Sequence, residues 1–343
     1  MTVPLATAFW NNKGGTGKTS LAFQAICTFA KNHPKERVLV VDVCPQANLS
    51  ELLLGGLEGG GSKNLIQIQG GSIRKTIGGY FQSRLPKPYD PTGIVPHNFI
   101  TLPSKFNANI PKNIDLLAGD PLLELQANAM STLANNQIPG TDTWISIVSW
   151  LKDFVAATGS DYDYIFVDSN PSFSIYTQVA IAAVDRVVLP VMADDSSRRA
   201  IQNAFSLIYG LKLPSDIYSQ HMFATRMQAG KLPIPKIHMI IKNRITQYMG
   251  AASGYRAVLD SIDADIADLV KQQPELMTFK KVKDGVIEIR DFQTTGVVAF
   301  ARGTPFYALR PGKLIVGGRR IAVDGLQIAD RQKEIESLAK SLI

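Results

Sequence analysis

One loop, Lys-Gly-Gly-Thr-Gly-Lys-Thr-Ser at residues 13–20, constrains the fold of this chain more than any other segment. The apolar run 5–10 before it is typical of a buried strand, and a helix-forming stretch from Lys18 to about Asn32 follows it. The loop glycines let the backbone turn tightly and bring several N–H groups close to one anion. The pattern therefore predicts a strand, a phosphate-binding loop and a helix whose positive end faces the phosphate.

The polar residues of the loop predict a nucleotide with a metal ion. Lys18 would reach the β- and γ-phosphates, and the Thr19 hydroxyl would take a Mg²⁺ position. In the alternative, a glycine-rich turn that binds nothing, the two lysines and the Thr19-Ser20 pair would have no purpose. We therefore interpret the loop as a binding site.

Lys13 departs from the ordinary phosphate-loop pattern. That pattern has a glycine five residues before the second glycine, where this chain has Asn12. Lys13 instead precedes a glycine pair. A second lysine at one phosphate site adds positive charge where negative charge develops during phosphoryl transfer, from its own subunit or across a dimer.

Residues 13–19 resemble the hallmark Lys-Gly-Gly-x-Gly-Lys-[Ser/Thr] of the ParA/MinD superfamily of deviant Walker-A ATPases, and they match it at every fixed position. The overall pattern is closest to the ParA/Soj-type partition ATPases. The resemblance implies ATP and Mg²⁺ as cofactors and catalytic roles for Lys13 and Lys18. It also implies a homodimer bridged by ATP, in which Lys13 contacts the nucleotide of the partner subunit.

A second apolar run, 37–42, ends in the carboxylate of Asp42, as a buried parallel strand does. Residues 42–48 resemble the ParA segment Asp-x-Asp-Pro-Gln-x-Asn, but Cys44 replaces the second Asp. In the family that Asp orients the attacking water and supports the Mg²⁺ shell, so the resemblance places Asp42 and Cys44 at catalytic positions. A cysteine, with a reference pKa of about 8.5, is neutral and positions water poorly. We therefore expect hydrolysis slower by about 10²-fold or more, partly compensated by Asp42.

Three later segments add to the resemblance. The run 164–168 ends in Asp168, which in the family holds the Mg²⁺ shell through water, although a strand-end Asp can equally cap a helix. The strand 236–244 ends in Asn243-Arg244, and the family's Asn at this place reads adenine, although a plain turn residue is an equal alternative. Residues 303–305 sit where the family has Gly-x-Pro near the base. The predicted nucleotide-binding residues are Lys13, Gly14, Gly15, Thr16, Gly17, Lys18, Thr19, Ser20, Asp168, Asn243, Arg244 and Pro305, and the predicted metal-binding residues are Thr19, Asp42 and Asp168.

Strand-like runs that alternate with helix-forming stretches predict an α/β fold with a doubly wound, mostly parallel sheet flanked by helices. We expect one P-loop ATPase domain over 1–343. After the second strand, 55–112 should be an irregular, mobile insertion that acts as a lid or partner surface or is plain decoration, with a short helix within 73–85. Residues 306–343 should form a β-hairpin and a packing helix.

The net charge of +7 favours polyanionic partners. In the ParA family, basic residues of the C-terminal half bind DNA without sequence preference, and an ordinary solvated basic surface is the alternative. The basic residues of the second half include Arg226, Lys231, Lys236, Lys242, Arg244, Arg256, Lys280, Lys281, Lys283, Arg302, Arg310, Lys313, Arg319 and Arg320.

The sequence also indicates the cellular compartment in which the protein works. Cys27 and Cys44 suit a reducing cytosol and are too few for a metal or iron–sulfur site. No apolar run is long enough to cross a membrane, and no signal peptide is recognisable. The last helix mixes acidic and basic residues on its polar face, which disfavours a membrane-surface role. We expect a cytoplasmic, nucleoid-associated protein without a membrane partner.

Three functions fit these features. The first is a ParA-type ATPase whose ATP-bound dimer binds DNA non-specifically and partitions a plasmid, chromosome or protein cargo, with a ParB-like or other adaptor that stimulates hydrolysis. The second is a MinD-like positioning ATPase on a membrane surface. The third is a low-turnover ATP-dependent scaffold, which Cys44 favours.

Overall fold

A seven-stranded parallel sheet forms the centre of the protein. The computed structural model describes residues 3–343 except 193, 195, 214 and 246–252, and it omits the side chains of 253–255. The sheet has the order β3-β2-β4-β1-β5-β6-β7, and all of its paired strands run parallel. Its strands are β1 (Leu5–Phe9), β2 (Val38–Val43), β3 (Ile114–Leu117), β4 (Tyr164–Ser169), β5 (Arg186–Met192), β6 (Lys236–Ile245) and β7 (Val286–Arg290).

Helices cover both faces of the sheet. Along β2, Leu39, Val41 and Val43 belong to one buried cluster, and Val38 and Val40 belong to another. Because successive strand residues point to opposite faces, the two clusters lie on the two sides of the sheet. The helices are α1 (Lys18–Asn32), α2 (Asn48–Leu53), α3 (Gly61–Gln69), α4 (Ile77–Arg84), α5 (Leu122–Ala134), α6 (Thr143–Val148), α7 (Trp150–Ala157), α8 (Ile175–Ala182), α9 (Ser196–Tyr209), α10 (Phe223–Ala229), α11 (Ser253–Gln272), α12 (Val282–Gly285), α13 (Gln293–Ala301) and α14 (Gly325–Lys340).

The predicted doubly wound α/β fold is confirmed. The strands inferred at 5–10, 37–42, 164–168 and 236–244 appear as β1, β2, β4 and β6 with ends shifted by one residue at most. Sequence reasoning missed β7, because this five-residue edge strand is too short for a clear alternation of apolar and polar residues.

The glycine-rich run 55–62 forms a packed turn. The Gly56 N–H donates to the Glu51 carbonyl (2.8 Å), and the Gly61 N–H donates to the Gly56 carbonyl (2.7 Å). A Cβ on Gly56 would lie 2.5 Å from the backbone nitrogen of Gly303. The glycines therefore allow two stretches of backbone to touch, which a larger side chain would prevent.

The stretch 55–112 holds more regular structure than its irregular sequence predicted. It contains α3, α4 and two short 3₁₀ turns, and α4 confirms the helix expected within 73–85. The Thr76 hydroxyl caps α4 by accepting from the Gly79 N–H (3.0 Å). Both helices have fewer than ten residues, so the sequence contained too few turns to show a helical period. A lid or partner role for this stretch stays a prediction.

A two-stranded ribbon and a helix follow α13. The antiparallel strands β8 (Gly312–Val316) and β9 (Arg319–Val323) confirm the predicted hairpin. Gly317 and Gly318 both have positive φ, 56° and 76°, which a tight two-residue hairpin turn requires. Ile328, Ile335 and Leu338 on α14, and Leu342 just after it, are buried, as expected of a packing helix.

Candidate nucleotide site

The phosphate loop lies at the carboxyl end of β1, in the middle of the sheet. Gly15 and Gly17 have φ values of 76° and 78°, a conformation that glycine adopts easily. No side chain caps α1, so its first N–H groups are open to a ligand. A Cβ on Gly14 or Gly15 would meet nothing within 4 Å. The loop is therefore an open cradle of N–H donors at a helix N-terminus, which suits a phosphate.

Lys18 and Thr19 converge on Asp168. The Thr19 hydroxyl donates to Asp168 Oδ2 (2.7 Å), and Lys18 Nζ lies 3.9 Å from Asp168 Oδ1. Asp168 is buried, and its Oδ1 has no hydrogen-bond partner among the described residues. A buried carboxylate oxygen without a donor, next to a hydroxyl, matches the oxygen ligands that Mg²⁺ prefers. These residues fit the predicted metal.

Asp42 faces the same place from the neighbouring strand. It pairs in register with Asp168, and its Oδ2 accepts from the Ser50 N–H (2.9 Å) and hydroxyl (2.7 Å). Its Oδ1 has no hydrogen-bond partner among the described residues. Burial, and then the charge of Asp168, raises the pKa of Asp42 to about 7, and burial also raises the pKa of Asp168. Two buried carboxylates side by side repel each other, so a cation between them and a bound phosphate is favourable.

Cys44 is buried just beyond β2. Its thiol donates to Gln46 Oε1 (2.9 Å). Burial, and then the charges of Asp42 and Asp168, raises the pKa of the Cys44 thiol to about 12. The thiol is therefore protonated at neutral pH, so it offers neither a base nor a charge to the site.

Lys13 is held by its own chain. Its ammonium pairs with Asp194 (2.8 Å) and donates to the Ser196 hydroxyl. Burial raises the pKa of Asp194, but hydrogen bonds from Lys13, Ser196 and Ser197 outweigh it and lower that pKa. Asp194 also accepts from the Ser197 N–H (3.0 Å), so it caps the first turn of α9 as well. The pairing with Lys13 was not predicted, because a cap residue carries no sequence signal of a second partner.

Asn243 and Arg244 are brought to the loop from β6. Asn243 is buried and donates through Nδ2 to the Thr16 carbonyl (2.8 Å). A Cβ on Gly17 would lie 2.2 Å from Asn243 Nδ2, so a glycine is needed here to leave room for the Asn243 side-chain amide. Arg244 has a φ of 59°, which is unusual for a residue other than glycine. Their contact with adenine stays a prediction.

Two clefts open beside the loop. The first, of about 180 Å³, lies next to Gly17 and Ser20 and is lined by Asn243, Arg244, Asp291, Phe292, Gln293, Gly296, Val297 and Phe300. The second, of about 340 Å³, extends from Thr19 and Ser20 to the glycine turn and is lined by Asn48, Glu51, Leu52, Gly56, Leu57 and Phe300. Sequence reasoning missed the α13 residues in both linings, because it identified neither β7 nor α13.

Pro305 lies away from the first turn of α1. It is buried and precedes a 3₁₀ turn whose Phe306 N–H donates to Gln24 Oε1 (2.8 Å), midway along α1. Among the described residues, no loop residue forms a hydrogen bond with this turn. Its predicted role in nucleotide binding stays a prediction.

The parallel sheet and the loop define a P-loop NTPase-like protein. Residues 6–214, more than half of the chain, match the model of the AAA domain family AAA_31. The chain belongs to this family, which places it in the ParA/MinD superfamily and confirms the resemblance seen in the loop.

Curated relatives match the chain over part of their length. An uncharacterized protein of Pseudomonas putida is 27% identical over 188 residues, which cover 54% of this chain and 56% of the relative. An uncharacterized protein of Methanocaldococcus jannaschii is 26% identical over 182 residues, which cover 52% and 56%. The chain thus matches about half the length of these relatives.

Solved structures share the fold. McdA of Cyanothece, in a variant complex with ATP, has a TM-score of 0.60 at 14% identity and covers 100% of this chain and 97% of its own. A putative plasmid partition protein of Borrelia burgdorferi bound to AMPPNP has a TM-score of 0.54 at 15% identity and covers 99% and 100%. At these identities the likeness shows the fold alone. Within the described residues, no helix is long and apolar enough to span a membrane.

Proposed function

We propose that this chain is a ParA-type ATPase that acts as a nucleotide-dependent dimer switch, binds DNA non-specifically and positions a plasmid, chromosome or protein cargo. The observation that carries the proposal is the convergence of Lys18, Thr19 and Asp42 on Asp168 beneath an open cradle of N–H groups. This arrangement suits a nucleoside triphosphate with Mg²⁺. The plasmid partition protein of the same fold supports the positioning role.

Each residue of the site has a distinct task. The loop N–H groups and Lys18 hold and neutralise the phosphates, and Thr19, Asp42 and Asp168 hold the metal. ATP supplies the phosphoanhydride bond that is cleaved, and Mg²⁺ supplies neutralising charge. The buried surroundings strengthen all these interactions because the local dielectric is low.

The Cys44 thiol limits the chemistry. It stays protonated at neutral pH, so it cannot take a proton from water and orients water only weakly. Asp42 has one oxygen without a hydrogen-bond partner among the described residues, which provides partial compensation. We infer slow hydrolysis that an adaptor protein accelerates, so that the ATP state lasts long enough to carry cargo.

Lys13 links the nucleotide to the dimer. In the single chain it pairs with Asp194 at a partly exposed site, where an ion pair contributes only about 0–1 kcal/mol. A triphosphate of the partner subunit presents more negative charge than one carboxylate. Lys13 would therefore exchange Asp194 for the partner's nucleotide when two ATP-loaded subunits meet.

Sedimentation of the full chain tests the switch. We expect a dimer with ATP and Mg²⁺ and a monomer with ADP. Lys13→Ala should still bind ATP but fail to dimerise, whereas Lys35→Ala, which removes an exposed lysine near the other end of α1, should behave as wild type. Dimers that form equally well without nucleotide would refute the switch.

A low-turnover ATP-dependent scaffold is the second candidate, and the protonated Cys44 favours it. The two candidates differ in how fast the protein dissociates from DNA. A switch should leave DNA within the time of a few turnovers after free ATP is removed, and adaptor protein should shorten that time. A scaffold should stay bound until it is diluted or denatured, with or without adaptor.

A further inference from the structure

One segment of the chain carries charge of a single sign. Residues 292–323 contain five basic residues and no Asp or Glu. We call this set the ribbon surface: Arg302, Arg310, Lys313, Arg319 and Arg320. All of them are exposed except Arg302, which is half-buried.

These charges have no acidic partner in the part of the chain that the structure describes. None of the five lies within ion-pair distance of a carboxylate among the described residues. Basic residues nearby behave differently: Arg290 and Arg331 pair with Glu334, and Lys242 pairs with Asp263 (2.7 Å). Lys280, Lys281 and Lys283 are likewise unpaired among the described residues, but Asp284 lies beside them in the chain, whereas 292–323 contain no Asp or Glu.

The two faces of the ribbon have different tasks. Leu314 pairs with Ile321, and this face packs against the core together with Val316. Because side chains alternate along a strand, Lys313 and Ile315 point to the other side, as does Arg320, which pairs with Ile315. Lys313 and Arg320 are diagonal neighbours there, about 7–8 Å apart. Like charges so placed repel each other, and an anion between them removes the cost.

The ribbon is anchored at both its middle and its tip. The Arg302 guanidinium donates to the Ile315 carbonyl (3.5 Å), and the Gly317 N–H donates to Glu58 Oε1 (2.8 Å). Glu58 belongs to the glycine turn, and Gly56 and Leu57 of that turn line the cleft beside Thr19. The ribbon surface and the nucleotide cleft therefore share one turn.

We propose that the ribbon surface binds the phosphate backbone of duplex DNA. The proposal rests on the proposed function and names its DNA-binding surface. A two-stranded ribbon has the width that the major groove admits, and exposed cations replace the counterions of DNA. A membrane would require several large apolar side chains beside the cations, but Ile315 is the one large apolar side chain on the outward face.

The test compares two variants of the full chain with equal loss of charge. The ribbon variant carries Lys313→Ala, Arg319→Ala and Arg320→Ala, and the control carries Lys280→Ala, Lys281→Ala and Lys283→Ala, all exposed lysines around the start of α12. Fluorescence anisotropy with a short random-sequence duplex, ATP and Mg²⁺ is measured from about 50 to about 200 mM salt. ATP affinity and dimerisation are measured for every variant.

We expect the ribbon variant to bind DNA about tenfold more weakly, with a salt slope smaller by about 2, because Lys313 and Arg320 share the outward face and each phosphate contact contributes about 0.9. The control should keep most of the wild-type slope. Arg319→Lys with Arg320→Lys should also keep it, because backbone contacts need charge rather than the guanidinium shape.

Other outcomes overturn the proposal. An unchanged slope in a ribbon variant that still dimerises with ATP would refute the surface and leave the switch intact. If the wild type bound phosphatidylserine vesicles but not DNA, and the ribbon variant lost vesicle binding, the ribbon surface would be a membrane-binding surface instead. If the wild type never dimerised, but the ribbon variant had a smaller salt slope of DNA affinity, the dimer switch would be refuted and the DNA-binding surface would stand.

Discussion

The phosphate loop and the ribbon surface are both rich in cations, but they differ in what faces those cations. In the loop, Lys13 and Lys18 each face a carboxylate of the same chain, at 2.8 and 3.9 Å. On the ribbon surface, none of the five basic residues pairs with a described carboxylate, and Lys313 and Arg320 share an outward face.

The difference shows how one residue type suits two kinds of anion. Around the buried Asp168, charges of both signs give a few interactions with fixed geometry, which suit a small ligand with a metal. On an exposed ribbon each interaction is weak and screened by salt, so that binding strength comes from repetition along a polyanion. Three of the predictions below change charges in or beside the loop, and the fourth concerns a histidine outside both regions.

Lys18→Ala should produce the largest effect. We expect ATP affinity to fall about 10²-fold, because a charge-assisted contact of about 1.5–3 kcal/mol is lost at a nearly buried position. Titration calorimetry with ATP and Mg²⁺ measures the change, and Lys35→Ala is the control. If Lys18→Ala bound ATP as tightly as wild type, the loop would not be the phosphate site.

Cys44→Asp should raise the steady-state ATPase rate by about 10- to 10²-fold. A carboxylate at this position orients water, whereas the protonated thiol does not. A phosphate-release assay measures the rate. Cys44→Ser keeps a neutral group and should change the rate only slightly, and an Asp variant no faster than the Ser variant would disprove the role of this position.

Asp194→Asn should strengthen ATP-driven dimerisation by up to about fivefold, because it frees Lys13 from an ion pair of about 0–1 kcal/mol. Analytical ultracentrifugation gives the dimer constant. Asp216→Asn, at an exposed position outside the loop, is the control. Weaker dimerisation would mean that Asp194 supports the dimer instead of restraining Lys13.

The smallest effect concerns the docking of the C-terminal helix. His238 donates from one ring nitrogen to the Ser341 carbonyl and, when neutral, accepts from the Thr278 hydroxyl at the other, both at 2.8 Å. Burial lowers the pKa of His238 below its ordinary 6.5; the hydrogen bond to Ser341 opposes this shift, and Arg186 adds to it.

The folded state therefore binds this proton less tightly than the unfolded chain does, so stability is lost as the pH falls below about 6.5 towards the lower pKa of the folded state. Chemical denaturation at pH values on both sides of that point should show a smaller loss in His238→Gln than in wild type. An equal loss in both proteins would exclude His238 as the cause.

Local signals predicted the strands that lead into the site and the loop itself. Glycines at 14, 15 and 17, and the apolar runs that end at Asp42 and Asp168, are features of contiguous residues. They required no knowledge of distant contacts. The same locality explains the correct hairpin, where two glycines with positive φ are adjacent in the chain.

The partners of these residues could not be predicted in the same way. Lys13 meets Asp194 across 181 residues, and Asn243 meets the Thr16 carbonyl across 227. The contact of the glycine-rich run with the backbone of Gly303 was not predicted, because composition does not reveal it. Likewise, the list of basic residues did not reveal which of them lack carboxylate partners.

By itself, the sequence determined the parallel α/β fold, the phosphate loop and the neutral residue at position 44. Tertiary structure alone decided that Lys13 is held by Asp194, that both strand-end aspartates are buried side by side, and that no basic residue of the ribbon surface pairs with a described carboxylate. The physical reason is that strand order and register place residues more than a hundred positions apart within hydrogen-bonding distance. Burial at those junctions then raises the pKa of Asp42 to about 7, which no local pattern encodes.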